Sequence, residues 1–186
     1  MKADALAHET SLGQVLVKGA CPVCGVLKEF QAALAEKIQV CGDVCLCNFH
    51  TWLLARLAPA KSAAAIYLKL LEESPAAKFG ASDCNLCRKI LEQENLQLRE
   101  LVKQMQRVMF LQWMNSQGSL CLNHARKLLD HAPLKMRPLI DQIVERTRAE
   151  LKQELGDFLE HAKQGDHTGG GILGRAAEFL VSQRGL

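Results

Sequence analysis

The chain has 186 residues, of which 23 are basic and 20 acidic, and 48% of them are hydrophobic. This length suits one domain or two small ones, and the hydrophobic share excludes a disordered or collagen-like chain. The net charge of +3 is too small to indicate a nucleic-acid binder. No apolar run reaches the roughly 18 residues that predict a membrane span, so we expect no membrane association. The first ten residues contain no apolar segment typical of a secretory signal, and we therefore expect a cytoplasmic protein.

Helical periodicity covers almost the whole chain, and no segment has the alternation typical of a strand. The predicted helices span residues 25–40, 48–58, 61–73, 88–115, 122–131, 138–163 and 172–182. Two apolar stripes are predicted to face the core: Leu91, Leu98, Leu101, Val102, Met105, Val108 and Met109 in the first, and Ile140, Ile143, Val144, Thr147, Leu151, Leu155, Phe158, Leu159 and Ala162 in the second. Trp52, Trp113 and Tyr67 stand singly at helical spacing and are also predicted to pack in the core. The sequence therefore predicts an all-α helical bundle that ends in one long and one short helix.

Eight cysteines are the unusual feature of the composition. Two pairs have the spacing C-x-x-C, and each is followed by a C-x-x-H motif; the members are Cys21 and Cys24, then Cys47 and His50, then Cys84 and Cys87, then Cys121 and His124. A helical pattern follows each motif, so the chain contains a tandem duplication of one unit. We therefore divide it into a first unit at 1–75, a second at 76–132 and C-terminal helices at 133–186, which we expect to pack on both units in one compact domain.

This duplicated pattern indicates two metal sites, each with three cysteines and one histidine. Zinc prefers thiolate and imidazole ligands, and the two-residue spacing lets one tight turn offer both of its ligand atoms. A disulfide framework is disfavoured because it is typical of secreted chains and the first ten residues contain no secretory signal. A thioredoxin-like pair is disfavoured because it needs a strand–helix setting and no strand pattern is present. Haem attachment requires histidine where Gly25 and Arg88 stand. We therefore expect two zinc ions per chain, with an iron–sulfur cluster as the alternative.

The remaining thiols, Cys41 and Cys45, have no counterparts in the second unit. We interpret them as small apolar side chains that fill a turn. The alternative makes them extra ligands of a larger cluster, or a redox switch beside the first site. His8, His131, His161 and His167 lack partner cysteines at ligand spacing and are predicted to be solvated or to lie at helix ends.

The C-P-x-C and C-x-x-H units, together with the tail G-R-A-A-E-F-L-V at 174–181, resemble an uncharacterised bacterial family, a domain of unknown function. The resemblance covers most of the chain from Cys21 onward. It implies the same eight metal ligands and a turn near 104–106, but it implies no reaction. The first unit departs from the family pattern, because 22 residues separate its two motifs, against 33 in the second unit.

Chain length limits how the four motifs can combine. An unbroken helix over 88–115 would be about 42 Å long, and residues 116–120 could return only about 17 Å. One solution is a break near 104–106, which lets each unit close its own site. In the other, the sites are crossed, with Cys21 and Cys24 opposite Cys121 and His124, and Cys84 and Cys87 opposite Cys47 and His50. We favour closure within each unit; the eight ligands are the same in both arrangements.

No motif in the sequence indicates catalysis, since it contains no P-loop, G-x-G-x-x-G, G-x-S-x-G or H-E-x-x-H pattern. Four protein ligands per site leave no open coordination position, which is typical of a structural metal. We therefore expect a non-enzymatic protein that offers helix faces to a protein partner, with no identifiable small-molecule substrate. The alternatives are an iron–sulfur protein of electron transfer or redox sensing, and a zinc-stapled nucleic-acid binder.

Overall fold

The computed structural model describes residues 19–37, 46–73, 84–163 and 171–182. Within these ranges it contains α-helices, one short 3-10 turn and no β-strand, which confirms the all-α class. The helices are α1 (Pro22–Lys37), α2 (Asn48–Leu57), α3 (Ala60–Glu73), α4 (Asn85–Gln104), α5 (Val108–Ser116), α6 (Leu122–His131), α7 (Arg137–Lys163) and α8 (Gly171–Val181). No helix in the described ranges is long and apolar enough to cross a membrane.

A turn interrupts the predicted helix 88–115 close to the expected break near 104–106. The helix α4 ends at Gln104, and the backbone N–H groups of Gln106 and Arg107 donate to carbonyls only three residues earlier. Arg107 then adopts an extended backbone, with φ −88° and ψ 127°, and α5 begins. Neither proline nor glycine marks this turn, so the periodicity alone predicts an unbroken helix. Elsewhere α1 begins three residues before its predicted start, and its predicted end at 38–40 lies outside the described residues.

The chain divides into two compact units. We call the described residues within 27–95 the continuous unit, and those within 19–26 and 96–182 the split unit; the division falls inside α1 and inside α4. These units cut across the duplication in the sequence, because each contains the C-x-x-C motif of one repeat and the C-x-x-H motif of the other.

In the continuous unit, α2 and α3 form an antiparallel hairpin around Pro59. Ala58 adopts an extended backbone just before that proline, as the proline requires, and ends α2. The Tyr67 hydroxyl donates to the carbonyl of Thr51 at 2.7 Å and fixes α3 on α2. The largest fully buried aliphatic side chains of the continuous unit are Leu27, Leu46, Leu54 and Ile66. The core prediction for Trp52 is wrong, because this side chain is 68% exposed.

In the split unit, α6, α7 and α8 pack against one another, and α5 packs on α7. The buried members of the two predicted stripes here are Leu98, Leu101, Val102, Met105, Ile140, Ile143, Val144, Thr147 and Leu151. The stripes are wrong at their ends, since Val108, Met109 and Leu159 are exposed, as is Leu91 in the continuous unit. Val108 and Met109 follow the turn at 105–107, so the single stripe drawn through both helices does not continue past it.

Candidate metal centres

Each of the four cysteine motifs stands at the start of a helix. Cys21, Cys47, Cys84 and Cys121 directly precede α1, α2, α4 and α6. Their carbonyls accept the first helical hydrogen bonds, from residues four positions later, at 2.9–3.1 Å. The second ligand of each motif lies in the first turn, three residues on, where a helix returns to the same face. The spacing therefore presents both ligand atoms of a motif to one point at the helix N-terminus.

The first group, which we call centre 1, lies in the split unit and consists of Cys21, Cys24, Cys121 and His124. The four ligand atoms all lie within 4.8 Å of one another. The distances from Nδ1 of His124 to the Sγ atoms of Cys21, Cys24 and Cys121 are 3.5, 3.3 and 3.1 Å. The Sγ atoms of Cys24 and Cys121 are 3.7 Å apart. All four residues are buried, with exposed fractions of 0–3%.

Backbone contacts hold the two motifs of centre 1 together. The N–H of Gly19, two residues before Cys21, donates to the carbonyl of Gln117 at 2.9 Å. Gly19 has φ +75°, a backbone conformation that glycine adopts without strain. A Cβ atom at Gly118 would stand 2.8 Å from the backbone of Met114, so the close turn before Cys121 also requires glycine.

A charged side chain from α7 completes that turn. The Arg146 guanidinium donates to the carbonyls of Met114, at 3.1 Å, and Gly118, which tie α7 to the segment leading into centre 1. Sequence reasoning did not single out Gly19, Gly118 or Arg146. Their signal is positional only: each lies near a motif or on the long amphipathic helix, and none has a diagnostic pattern of its own.

The second group, centre 2, lies in the continuous unit and consists of Cys47, His50, Cys84 and Cys87. The distances from Nδ1 of His50 to the three Sγ atoms are 3.2 Å for Cys47 and 3.3 Å for both Cys84 and Cys87. The Sγ atoms of Cys47 and Cys87 are 3.6 Å apart. The other ring nitrogen of His50, Nε2, is buried and meets no hydrogen-bond partner within the described ranges. The histidine therefore faces the sulfur atoms through Nδ1, as in centre 1.

These groups show that the favoured closure within each repeat is wrong. Cys21 and Cys24 face Cys121 and His124, whereas Cys84 and Cys87 face Cys47 and His50. The chain turns at 105–107, as closure within the second repeat required, but the sites are crossed all the same. The turn brings α5 back on α7 and delivers Cys121 to the segment 19–24, because Gln117 bonds to Gly19.

The metal-free thiols of centre 1 differ in their pKa values. Burial raises the pKa of the Cys21 thiol, but hydrogen bonds from Cys121, Cys24 and His124 outweigh burial and hold this pKa well below its ordinary value. Hydrogen bonds to Cys121 and Cys21 raise the pKa of Cys24, and burial adds to the increase. The hydrogen bond to Cys21 raises the pKa of Cys121 and outweighs the opposite effect of the bond from Cys24, and burial again adds to the increase. One thiolate in this centre is thus stabilised by two thiols that keep their protons.

Centre 2 likewise contains one thiol with a lowered pKa and one with a raised pKa. Burial raises the pKa of Cys84, but hydrogen bonds from His50 and from the backbone of Cys87 and Cys47 lower it to about 6. Burial, together with hydrogen bonds to Cys47 and Cys84, raises the pKa of Cys87 to about 12. Metal binding at either centre must therefore displace protons as well as supply bonds.

Both groups fit one ion each. A zinc ion with Zn–S bonds of about 2.3 Å and a Zn–N bond of about 2.0 Å holds tetrahedral sulfur atoms about 3.8 Å apart and its nitrogen about 3.5 Å from each of them. The Cys47–Cys87 and Cys24–Cys121 S–S distances are 3.6 and 3.7 Å, the S–N distances are 3.1–3.5 Å, and the four ligand atoms of each group all lie within 4.8 Å of one another. The two buried Cys/His groups can therefore hold metal ions, each with four protein ligands.

Other predicted sites are not part of these groups. Cys41, Cys45, His8 and His167 lie outside the described residues. His131 and His161 are exposed, as expected for solvated or helix-end side chains, and Nδ1 of His161 lies 2.7 Å from the carbonyl of Asp157. No family model, curated protein or solved structure matches this chain.

Proposed function

We propose that this chain is a non-enzymatic, zinc-binding helical protein with two structural Cys3His sites. The observation that carries the proposal is the meeting of eight ligand atoms in two groups, in each of which all four atoms lie within 4.8 Å of one another and the S–N distances are close to those around a single tetrahedral ion. An iron–sulfur cluster spreads its ligands over two or four iron atoms, so ligand atoms on different irons stand further apart than those on one ion. The short distances in both groups favour one ion per site.

Four protein ligands also favour a structural role over a catalytic one, since a catalytic zinc keeps one position open for water or substrate. Each ion would join two helix starts that are distant in sequence: α1 with α6 at centre 1, and α2 with α4 at centre 2. The ions would thus fix the topology of each unit. A reducing compartment such as the cytoplasm, where thiols persist, suits this role.

Metal analysis of freshly purified, anaerobically handled protein tests the proposal, together with a visible absorption spectrum of the same sample. Close to two zinc ions per chain and no colour is the expected result. Iron with acid-labile sulfide and a brown colour would replace the zinc proposal with the iron–sulfur alternative. Protein that holds no metal, and takes up none when zinc is supplied, would overturn both.

The second part of the proposal is a protein partner that packs on α3. One face of this helix is exposed and mainly apolar, and we call it the α3 face; its members are Lys61, Ala64, Ala65, Leu68, Leu71 and Glu72. Leu68 is 59% exposed and Leu71 is 82% exposed. The spacing of these residues is that of a helix-packing stripe.

The charges at the two ends of the α3 face indicate which partner fits it. Lys61 lies near the start of the face and Glu72 near its end, so a second copy of α3 lying antiparallel brings unlike charges together at both ends. Ala64 and Ala65 then offer room for Leu68 of the other copy. One helix pair buries less than the roughly 800 Å² per partner of a standard interface, so we expect association that depends on concentration.

Analytical ultracentrifugation over a range of concentrations tests this partner. The Leu71→Ser variant is expected to shift the chain towards monomer, whereas Leu134→Ser is not. Leu134 is a matched control because it is 77% exposed and belongs to the 3-10 turn, not to α3. A wild-type chain that stays monomeric at high concentration would exclude the second copy as partner, without touching the metal proposal.

A further inference from the structure

The eight candidate ligands are not equally protected from solvent. At centre 1 the exposed fractions are 0–3%, and at centre 2 they are 1% for Cys84 and His50 and 8% for Cys47. Cys87 is the one ligand of the eight that is only partly buried. The reactivity of a thiolate depends on its access to the reagent as well as on its ionisation. Cys87 is therefore the ligand that a small reagent in solution reaches first.

Cys87 also has a second sulfur within reach. Its Sγ lies 3.6 Å from Sγ of Cys47, and the two cysteines belong to different helix starts, α4 and α2. A disulfide has an S–S length of about 2.05 Å, so the two atoms need to approach by only about 1.5 Å. This pairing would remove two of the four ligands of centre 2.

We propose that Cys87 is a modification site for small hydroperoxides and electrophiles, and that centre 2 releases its zinc ion in response while centre 1 keeps its own. This inference rests on the proposed function, because it needs a zinc ion at both centres. It adds to that function a difference between the two sites: centre 1 keeps its structural zinc ion, whereas centre 2 loses its zinc ion on oxidation.

A hydroperoxide oxidises Cys87 and Cys47 to a disulfide in two steps. The Cys87 thiolate attacks one peroxide oxygen, the O–O bond breaks, and the leaving alkoxide or hydroxide takes a proton; Cys87 then carries a sulfenic acid. The Cys47 thiolate attacks the sulfur of Cys87, the S–O bond breaks, and water leaves after a second protonation. Two thiolates, one hydroperoxide and two protons give one disulfide, one alcohol or water molecule, and one water molecule. The sulfur atoms lose two electrons, and the zinc ion loses two ligands.

A cavity of ≈ 160 Å³ beside centre 1 is the feature that argues for the opposite order. Its lining includes Cys21 and Cys121, together with Arg175. Cys21 and Cys121 are nonetheless only 3% and 1% exposed, so a reagent in the cavity meets little of either residue. Exposure therefore favours reaction at centre 2, and the experiment must read the two centres separately.

The test uses the full chain loaded with two zinc ions, in a Cys41→Ser/Cys45→Ser background that leaves only the ligand cysteines to react. Hydrogen peroxide is added in small excess, zinc release is followed with a chromogenic chelator, and the modified cysteines are identified by differential alkylation and mass spectrometry. We expect one zinc ion per chain to leave at least about tenfold faster than the second. A disulfide that contains Cys87 should form with it, while Cys21, Cys24 and Cys121 stay protected.

N-ethylmaleimide gives a readout that needs no oxidant, because the thiolate adds across the maleimide double bond and the adjacent carbon takes a proton. Cys87 is expected to be labelled before the cysteines of centre 1. Labelling of Cys21 or Cys121 first, or release of both zinc ions at one rate, would overturn this inference and leave the zinc proposal standing. A chain that binds no zinc under any condition would overturn both.

Discussion

The crossed pairing of the motifs predicts which helices depend on which cysteine. Cys24→Ser removes one sulfur from centre 1, and Cys87→Ser removes one from centre 2. The two changes are matched, because each replaces the second cysteine of a C-x-x-C motif in the first turn of a helix. They differ in the motif opposite: Cys24 faces the start of α6, and Cys87 faces the start of α2.

The size of the effect follows from the ligand count. A structural zinc site contributes about 10–16 kcal/mol in small peptides, so an equal share for one of four ligands is about 2.5–4 kcal/mol. At about 1.4 kcal/mol per tenfold, this share corresponds to a loss of roughly 10²- to 10³-fold in zinc affinity. Serine does not recover it, because a neutral hydroxyl is a poor substitute for a thiolate on zinc.

Hydrogen–deuterium exchange measured by mass spectrometry at limiting free zinc reads the result. In Cys24→Ser we expect protection to fall in α6 (Leu122–His131) and to persist in α2 (Asn48–Leu57). In Cys87→Ser we expect the reverse. If the Cys24 variant instead exposed α2 and spared α6, each repeat would close its own site and the crossed arrangement would be refuted. Equal loss in both helices from either variant would contradict the independence of the two centres.

Three further outcomes are expected. Removing both metal ions with a strong chelator should lower the melting temperature and the helical circular dichroism signal. The reason is that the binding free energy of two structural zinc sites is comparable with the roughly 5–15 kcal/mol that stabilises a whole domain. Unchanged melting would contradict a structural role. Zinc uptake by the metal-free chain at pH 7 should release at least three protons, because the raised pKa values of Cys24, Cys121 and Cys87 keep these thiols protonated. The zinc affinity should therefore rise with pH. Titration calorimetry in buffers of different ionisation enthalpy counts the released protons. Leu128→Ala should cost about 2–5 kcal/mol of unfolding free energy in chemical denaturation, and Leu134→Ala less than about 0.5, because the exposed fractions are 0% and 77%; similar losses would refute the burial assignment.

The sequence predicts the helices and the adjacency within each motif because both are local. The C-x-x-H motif at Cys121 and the helix that follows it illustrate this: α6 has the predicted bounds, since Pro133 and the apolar spacing define it. The ligand set follows from the same local spacing, and the structure brings all eight residues together in two groups. That these groups bind zinc in the cell stays a prediction.

The pairing of the groups is not local, and the sequence left it open. The reach argument excludes only an unbroken helix combined with closure within the second repeat, and the turn at 105–107 makes either arrangement possible. The contacts that hold the motifs of centre 1 in place join residues far apart in sequence: the Gly19 N–H donates to the Gln117 carbonyl, and the Arg146 guanidinium donates to the Gly118 carbonyl. No pattern of residue types encodes such a bond. Trp52 fails for a related reason, because periodicity shows which residues share a face and not whether another element covers it.

The helix N-termini at which the ligands lie would also stabilise the negative charge of a buried zinc site, which has no cationic side chain among its ligands. With the proposed zinc ion bound, three thiolates and one neutral imidazole would leave each centre with about one net negative charge. Each centre receives two helix N-termini, and each terminus is equivalent to about half a positive charge. The helix starts at α1 and α6 would thus offset the charge of a zinc-bound centre 1, and those at α2 and α4 would offset that of centre 2. A site assembled from one helix start and a loop would leave about half of that charge without compensation, so a partner motif that also begins a helix is favoured. Both pairings of the duplicated motifs satisfy this requirement, which explains why the ligand set can be read from the sequence while the crossing depends on the chain that connects them.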